Sequence, residues 1–303
     1  MRWALAVCAL VSLLAGCGGG GSSSSSKALP GTGRPPVTLG TKNFTEQFVL
    51  GQLYKQALET KGYRVRLRND IGPSEVVDRE LRAGRIDMYP EYTGVIVQEL
   101  AGQKSPTTSA QQTYERAQAW EEGRGFTLLD MTPFSDRDAM VVTVPYAQKY
   151  GLRSNGDLRR AGRFRFGGPP ENAKRFQGVV GLRKVYGLNN FTYVPLQNGA
   201  RYSALDRHQV DVSTAFTTDG QLQRGGYVLL DDPQGVYGFQ NNAMVVSRGV
   251  LAGEGPAFAA TINAVSAQLT NLTMQRLNAA VDLDGQQPAA VARQFLRASR
   301  LSG

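Results

Sequence analysis

Three features of the sequence predict an α/β fold built as two lobes. β-prone runs alternate with segments of helical apolar spacing, the pattern of largely parallel sheets flanked by helices. The alternation starts a second time after Pro145. The 303 residues also come to about two domains at roughly 150 residues each.

The elements follow in order. Residues 37–41 are a short β-prone run, and 46–61 carry apolar positions at helical spacing up to a stop at Gly62. Residues 63–67 alternate as a strand. Pro73 and Ser74 open a helix through Leu81, Gly84 closes it, and 86–88 read as the next strand. Further strands are expected at 126–129 and 139–144. The second series has a strand at 164–167, a helix near 172–186 and a strand at 191–194. Alanine-rich helices at 256–269, 274–281 and 288–301 finish the chain and are expected to pack back on the first lobe. Crossings near 142–145 and 238–242 then give lobe 1 as 37–143 plus 241–303 and lobe 2 as 144–240. Ligands of such proteins sit between the lobes.

One internal match bears on the two-lobe reading. Leu81-Arg82-Ala83-Gly84-Arg85-Ile86-Asp87 and Leu205-Asp206-Arg207-His208-Gln209-Val210-Asp211 both run from a helix end into an apolar-Asp strand start. Two similar lobes would account for the pair, as would chance at this length.

Composition excludes several classes. With 41% hydrophobic and 19% charged residues, the chain can bury about three quarters of its unfolded surface, so it is not a disordered protein. Two cysteines and one histidine leave almost no side chains for a zinc cage, a thiol nucleophile or a Ser-His-Asp relay. The formal charge of +9 comes from scattered Lys and Arg. No basic run is interleaved with aromatics, as a nucleic-acid groove would need.

The N-terminus is a targeting segment. Arg2 precedes about a dozen apolar residues, too few to span a bilayer. Leu14-Ala15-Gly16-Cys17 resembles the bacterial lipobox, which implies cleavage of signal peptide 1–16 and lipidation of Cys17. Cys8 leaves with the signal, so no disulfide is available to the mature chain. The Gly/Ser/Pro-rich stretch from Gly18 to Pro36 reads as a flexible tether, 17–36 with the lipidated cysteine.

Three motifs carry a family resemblance: Gly40-Thr41-Lys42-Asn43-Phe44-Thr45-Glu46-Gln47, Tyr89-Pro90-Glu91-Tyr92-Thr93-Gly94 and Phe216-Thr217-Thr218-Asp219-Gly220. In this order, from 37 to about 299, the chain resembles the substrate-binding proteins of ABC importers for glycine betaine, carnitine and choline. The resemblance implies a type II periplasmic-binding fold, two lobes closing on a small zwitterionic or cationic solute, delivery to a membrane permease, and no catalysis. No cofactor or metal is implied, and a monomer is expected.

Such proteins hold a quaternary ammonium in an aromatic box, because a methylated cation cannot donate strong hydrogen bonds. Carried over by position, Lys42 and Arg175 match the carboxylate-binding cations, and Tyr92 matches one wall of the box. Phe216 replaces a tyrosine. Asp138 and Gln240 stand where further tyrosines are expected, and Val95 stands for a threonine. Asn43, Thr93, Asp136 and Thr217 complete the expected ligand site.

Each residue also has a plainer reading. Asp138, if not in the cleft and balanced by a ligand cation or by Arg137, points outward or caps a loop. Lys42 could be a surface lysine, Arg175 an i to i+4 partner of Glu171, and Tyr92 and Phe216 core aromatics. Asp282-Leu283-Asp284-Gly285 lacks the terminal glutamate of a calcium loop and reads as a turn. His208 is expected to be solvated.

With two walls turned into polar acceptors, the box is expected to bind glycine betaine weakly and to favour a larger or N–H-bearing cationic zwitterion, such as an imidazole betaine or a guanidino or amino compound. The competing functions are a solute sensor with the same lobes and, less well served by the residues, an enzyme.

Overall fold

The computed structural model describes residues 28–103, 105 and 107–301. The expected signal peptide, Cys17 and the tether up to residue 27 lie outside the described residues.

Val37–Gly40 forms β1, Thr45–Thr60 α1, Val65–Arg68 β2, Ser74–Arg82 α2 and Met88–Tyr92 β3. The third strand begins at Met88 rather than Ile86 and runs on to Tyr92, all five residues buried. α1 buries Val49, Leu50, Leu53, Tyr54, Ala57 and Leu58, a stripe at helical spacing. Gly62 ends it in a left-handed turn at φ +83°. α3 (Thr93–Val95) runs into a wider turn at Ile96–Leu100, and α4 (Ala110–Gly123) leads to β4 (Phe126–Leu128).

The second lobe holds β5 (Asp138–Thr143), α5 (Val144–Tyr150), β6 (Phe164–Gly168), α6 (Gly181–Tyr186), β7 (Phe191–Pro195), α7 (Arg201–Asp206), β8 (Val212–Phe216) and β9 (Tyr227–Leu230). β10 (Asn242–Ser247) returns to the first sheet. α8 (Arg248–Glu254), α9 (Pro256–Ser266), α10 (Asn271–Asp282) and α11 (Pro288–Ala298) follow, and the last three pack against α1.

The two sheets have the same plan. Their orders are β2-β1-β3-β10-β4 and β7-β6-β8-β5-β9. In each, two parallel pairs are joined to one long antiparallel strand that comes from the other half of the chain: β10 between β3 and β4, β5 between β8 and β9. The internal sequence match belongs to this plan. Asp87 Oδ2 accepts the Thr38 N–H at 2.6 Å, and Asp211 Oδ2 accepts the Arg165 N–H at 2.8 Å. Each carboxylate therefore pins the start of one parallel strand, β3 or β8, to its parallel neighbour, β1 or β6.

Three expectations about organisation are corrected. Residues 138–143 were expected in lobe 1, yet β5 pairs with β8 and β9, so the first crossing lies between Leu128 and Asp138. The two crossings touch: Ser135 bridges Asn241, and Asp136 N donates to Gln240 O at 3.0 Å. The expected helix at 172–186 is broken into turns at Pro170–Ala173 and Phe176–Val180 before α6, with Gln177 and Gly178 out of helical geometry. A Cβ on Gly178 would lie 2.2 Å from the Asn172 carbonyl oxygen, so this close approach needs glycine. Finally, 28–36 is held to the body rather than tethering it. Gly31 N donates to Lys61 O at 2.8 Å and Arg34 Nη1 to Gly253 O at 2.6 Å.

Candidate functional site

The parallel strands of both sheets aim their C-terminal ends at the crossings. There the backbone must leave the ladder, and groups from several strands converge. A cavity of about 580 Å³ lies at this junction, within the usual range for a small ligand. The loop after β1 supplies Lys42, Asn43 and Phe44, and the first turn of α1 supplies Thr45 and Glu46. The end of β3 and start of α3 give Tyr92 and Val95. The crossings give Asp136 and Gln240, and β5 opens with Asp138. The second lobe adds Arg201 from α7 and Phe216, Thr218 and Asp219 from the end of β8, while α10 closes one side with Asn278 and Asp282.

Lys42 is buried, not a surface lysine. Its Nζ forms an ion pair with the fully buried Glu91 and donates to Ser74 Oγ at 3.3 Å. The same ammonium sits 4.1 Å from the Tyr92 ring centroid and 5.6 Å from that of Phe44. These two rings stack with centroids 6.3 Å apart. In the second lobe the Arg201 guanidinium lies 4.8 Å from the Phe216 centroid and 3.5 Å from Asp219 Oδ1. Asp219 also accepts from Tyr202 Oη at 2.8 Å and Phe216 N at 2.9 Å.

Acidic groups dominate the rest. Tyr92 Oη donates to Glu46 Oε1 at 2.7 Å and Asn278 Nδ2 to Glu46 Oε2 at 3.0 Å. Burial raises the Glu46 carboxyl, against the pull of these donors and of Lys42. Asp136, which accepts from Thr218 Oγ1 at 2.8 Å, is pushed well above the usual carboxylate range by burial and by the nearby Glu46. Asp138 is pushed up to about 6, by burial first, with Arg201 and then Arg175 pulling the other way. Its stabilising cations are thus these two arginines rather than the expected neighbour Arg137.

Of the expected site residues, Lys42, Asn43, Tyr92, Asp136, Asp138, Phe216 and Gln240 line the cavity, and Thr93, Arg175 and Thr217 do not. Thr93 is fully buried behind the wall. Thr217 Oγ1 donates to Ser135 O and accepts from Arg137 N at 3.1 Å, fastening β8 to the crossing. Arg175 is exposed. It precedes the turn Phe176–Val180, and Glu171 lies in a separate 3-10 turn, so the two share no α-helical face. Gln240 does not offer its acceptor to the cavity unpaired: its Oε1 takes the Val95 N–H at 3.1 Å. Gly94 permits this contact, since a Cβ there would lie 2.6 Å from Gln240 Nε2. Phe44, Thr45, Glu46, Thr218 and Asp219 were inside the quoted motifs without being singled out. Arg201 and Asn278 have no motif to mark them, and Asp282, expected in a turn, is the last residue of α10.

A ligand-sized cavity between two lobes that share one sheet plan and are joined by paired crossings defines a two-lobed solute-binding protein. Residues 35–298 match the family model described as the substrate binding domain of ABC-type glycine betaine transport systems, and the chain belongs to that family. It is 31% identical over 278 residues to the glycine-betaine-binding protein of Pseudomonas aeruginosa, covering 87% of this chain and 88% of the relative. It is 30% identical over 283 residues to the glycine betaine-binding protein YehZ of Escherichia coli, covering 89% and 92%. Among solved structures, one described as a glycine betaine/carnitine/choline ABC transporter superposes with a TM-score of 0.82 at 25% identity, covering 88% of this chain and all of that one. The fold is that of the type II periplasmic-binding proteins, and the family's role is extracytoplasmic substrate binding for an ABC transporter.

Proposed function

We propose that this protein captures a small solute with a cationic head, of the betaine or quaternary ammonium kind, between its lobes and delivers it to a membrane permease. The observation that carries this reading is the cavity's combination of three rings, Phe44, Tyr92 and Phe216, with a surplus of carboxylates. Ring faces and carboxylates both favour a cation. The protein acts as a monomer held outside the cytoplasm by a lipid on Cys17, the tether leaving the folded body at about Ala28. Closure of the lobes about the paired crossings traps the solute.

Titration calorimetry with glycine betaine, choline and carnitine tests the reading. At least one should bind, and Tyr92→Ala with Phe216→Ala should weaken it at least tenfold. Binding of none, or binding indifferent to both substitutions, would overturn the assignment of this cavity. The anchor has its own test: Cys17→Ser should release the protein from the membrane fraction with its melting temperature unchanged.

A further inference from the structure

The cavity does not treat the two ends of a zwitterion alike. Its lining includes five carboxylates and two cations, and both cations are already engaged by the protein. Lys42 is held from behind by Glu91, and Arg201 lies against Asp219. The same two groups occupy faces of the aromatic set, Lys42 over Tyr92 and Phe44 and Arg201 over Phe216. A ligand carboxylate would have to share cations that internal carboxylates already neutralise, and would face Glu46 and Asp136 as well.

A separate observation concerns hydrogen-bond donors. Asn278 lines the cavity and is only 5% exposed. Its Nδ2 donates to Glu46 Oε2 and to Thr218 O, both acceptors, which fixes the amide's orientation. The remaining Oδ1 has no hydrogen-bond partner. A buried acceptor in this state is costly, and a methylated ammonium cannot satisfy it.

We infer that the preferred solute carries net positive charge and N–H donors, an amine or guanidinium compound without a carboxylate to be clamped. This rests on the reading of the cavity as the site of a cationic solute and goes beyond the quaternary ammonium head to one that bears N–H donors. Charge surplus draws the cation in, and the N–H groups serve the acceptors that a trimethylammonium leaves bare: Asn278 Oδ1 and the oxygens of Asp136 and Asp138. Burial raises both the Glu46 and the Asp136 carboxyl, and an arriving cation favours their ionised forms.

The test is calorimetry with three probes of similar size, agmatine, choline and glycine betaine, on wild type and on Asp138→Asn, whose side chain keeps the same shape. Agmatine should bind at least tenfold tighter than glycine betaine, with choline between them. Asp138→Asn should weaken agmatine at least tenfold and glycine betaine less than threefold. Glycine betaine binding tightest, with binding lost in Tyr92→Ala, would overturn the inference and leave the solute site standing. Failure of all three probes to bind would overturn both. Circular dichroism melting of each variant confirms that it is folded.

Discussion

The two lobes share one sheet plan and one pinning aspartate each, Asp87 and Asp211, but they present charge to the cavity in different ways. In the first lobe the loop after β1 leads straight into the 16-residue α1, and Lys42 is sealed against a carboxylate that lies outside the cavity, Glu91. In the second lobe the equivalent connection, after β6, breaks into turns at Gly178 and leaves Arg175 exposed. Its buried cation comes from α7 instead and is balanced by Asp219 at the cavity wall. A duplicated plan therefore conserves the position of the site, at the strand ends, without conserving which loop fills it. Pairing is what decides whether a cation faces the ligand: a lysine with a buried partner behind it adds little positive potential in front.

The largest effect expected from this contrast is on stability. Glu91→Gln should lower the unfolding free energy by about 3 to 5 kcal/mol, because it leaves the Lys42 ammonium buried without its counter-charge. Asp219→Asn, whose partner stands at the cavity wall, should cost about 1 to 3 kcal/mol. Chemical denaturation measures both, and equal costs would erase the distinction between the lobes.

Asp138 gives an effect of opposite sign. Its folded-state pKa of about 6 lies above the ordinary value, so the fold binds the proton more tightly than the unfolded chain. Stability should fall as pH rises between about 4 and 6 on this account. Asp138→Asn should raise ligand-free stability at pH 7.5 by about 1 to 3 kcal/mol and change it little at pH 3.5. Cation affinity of the wild type should rise up to about tenfold from pH 5 to pH 7.5 as this group ionises, against a background set by Arg201, Arg175, Asp219 and Glu171. Calorimetry at the two pH values, with a flat profile as the contrary result, checks it.

Smaller and symmetrical effects should come from the pinning aspartates. Asp87→Ala and Asp211→Ala should each cost about 1 to 2 kcal/mol, the loss of a charge-assisted bond to a backbone N–H. Markedly unequal melting shifts would show that the match is one of sequence more than of mechanics. The smallest effect belongs to Arg175→Ala. As an exposed residue outside the cavity lining, it should change affinity less than threefold by titration, whereas Arg201→Ala should change it at least tenfold.

Much of the fold is legible in the sequence, since apolar periodicity and glycine stops are local signals. β1, α1, β2, α2, β5, β6 and β7 sit within a few residues of where the pattern puts them, whereas no strand is expected from the sequence at β9 (Tyr227–Leu230) or β10 (Asn242–Ser247). The 172–186 segment misleads because its apolar spacing suits a helix, whereas the close approach of Gly178 to Asn172 is tertiary. The boundary at 143 misleads for a similar reason: strand pairing, which assigns β5 to the second sheet, leaves no mark in a single strand. In the cavity, the residues carried by contiguous motifs are found there, Tyr92 and Phe216 among them. Arg201, Asn278 and Asp282 arrive by the packing of α7 and α10, and Gln240 turns its acceptor to a backbone N–H that no pattern of residue types discloses.

The most direct measurement is native mass spectrometry of the protein purified without added solute, with the co-purified ligand released and its mass and charge determined. A small organic solute with a cationic group should be present in wild type and lost in Tyr92→Ala with Phe216→Ala. Release from the wild type of a solute that lacks any cationic group would refute that assignment.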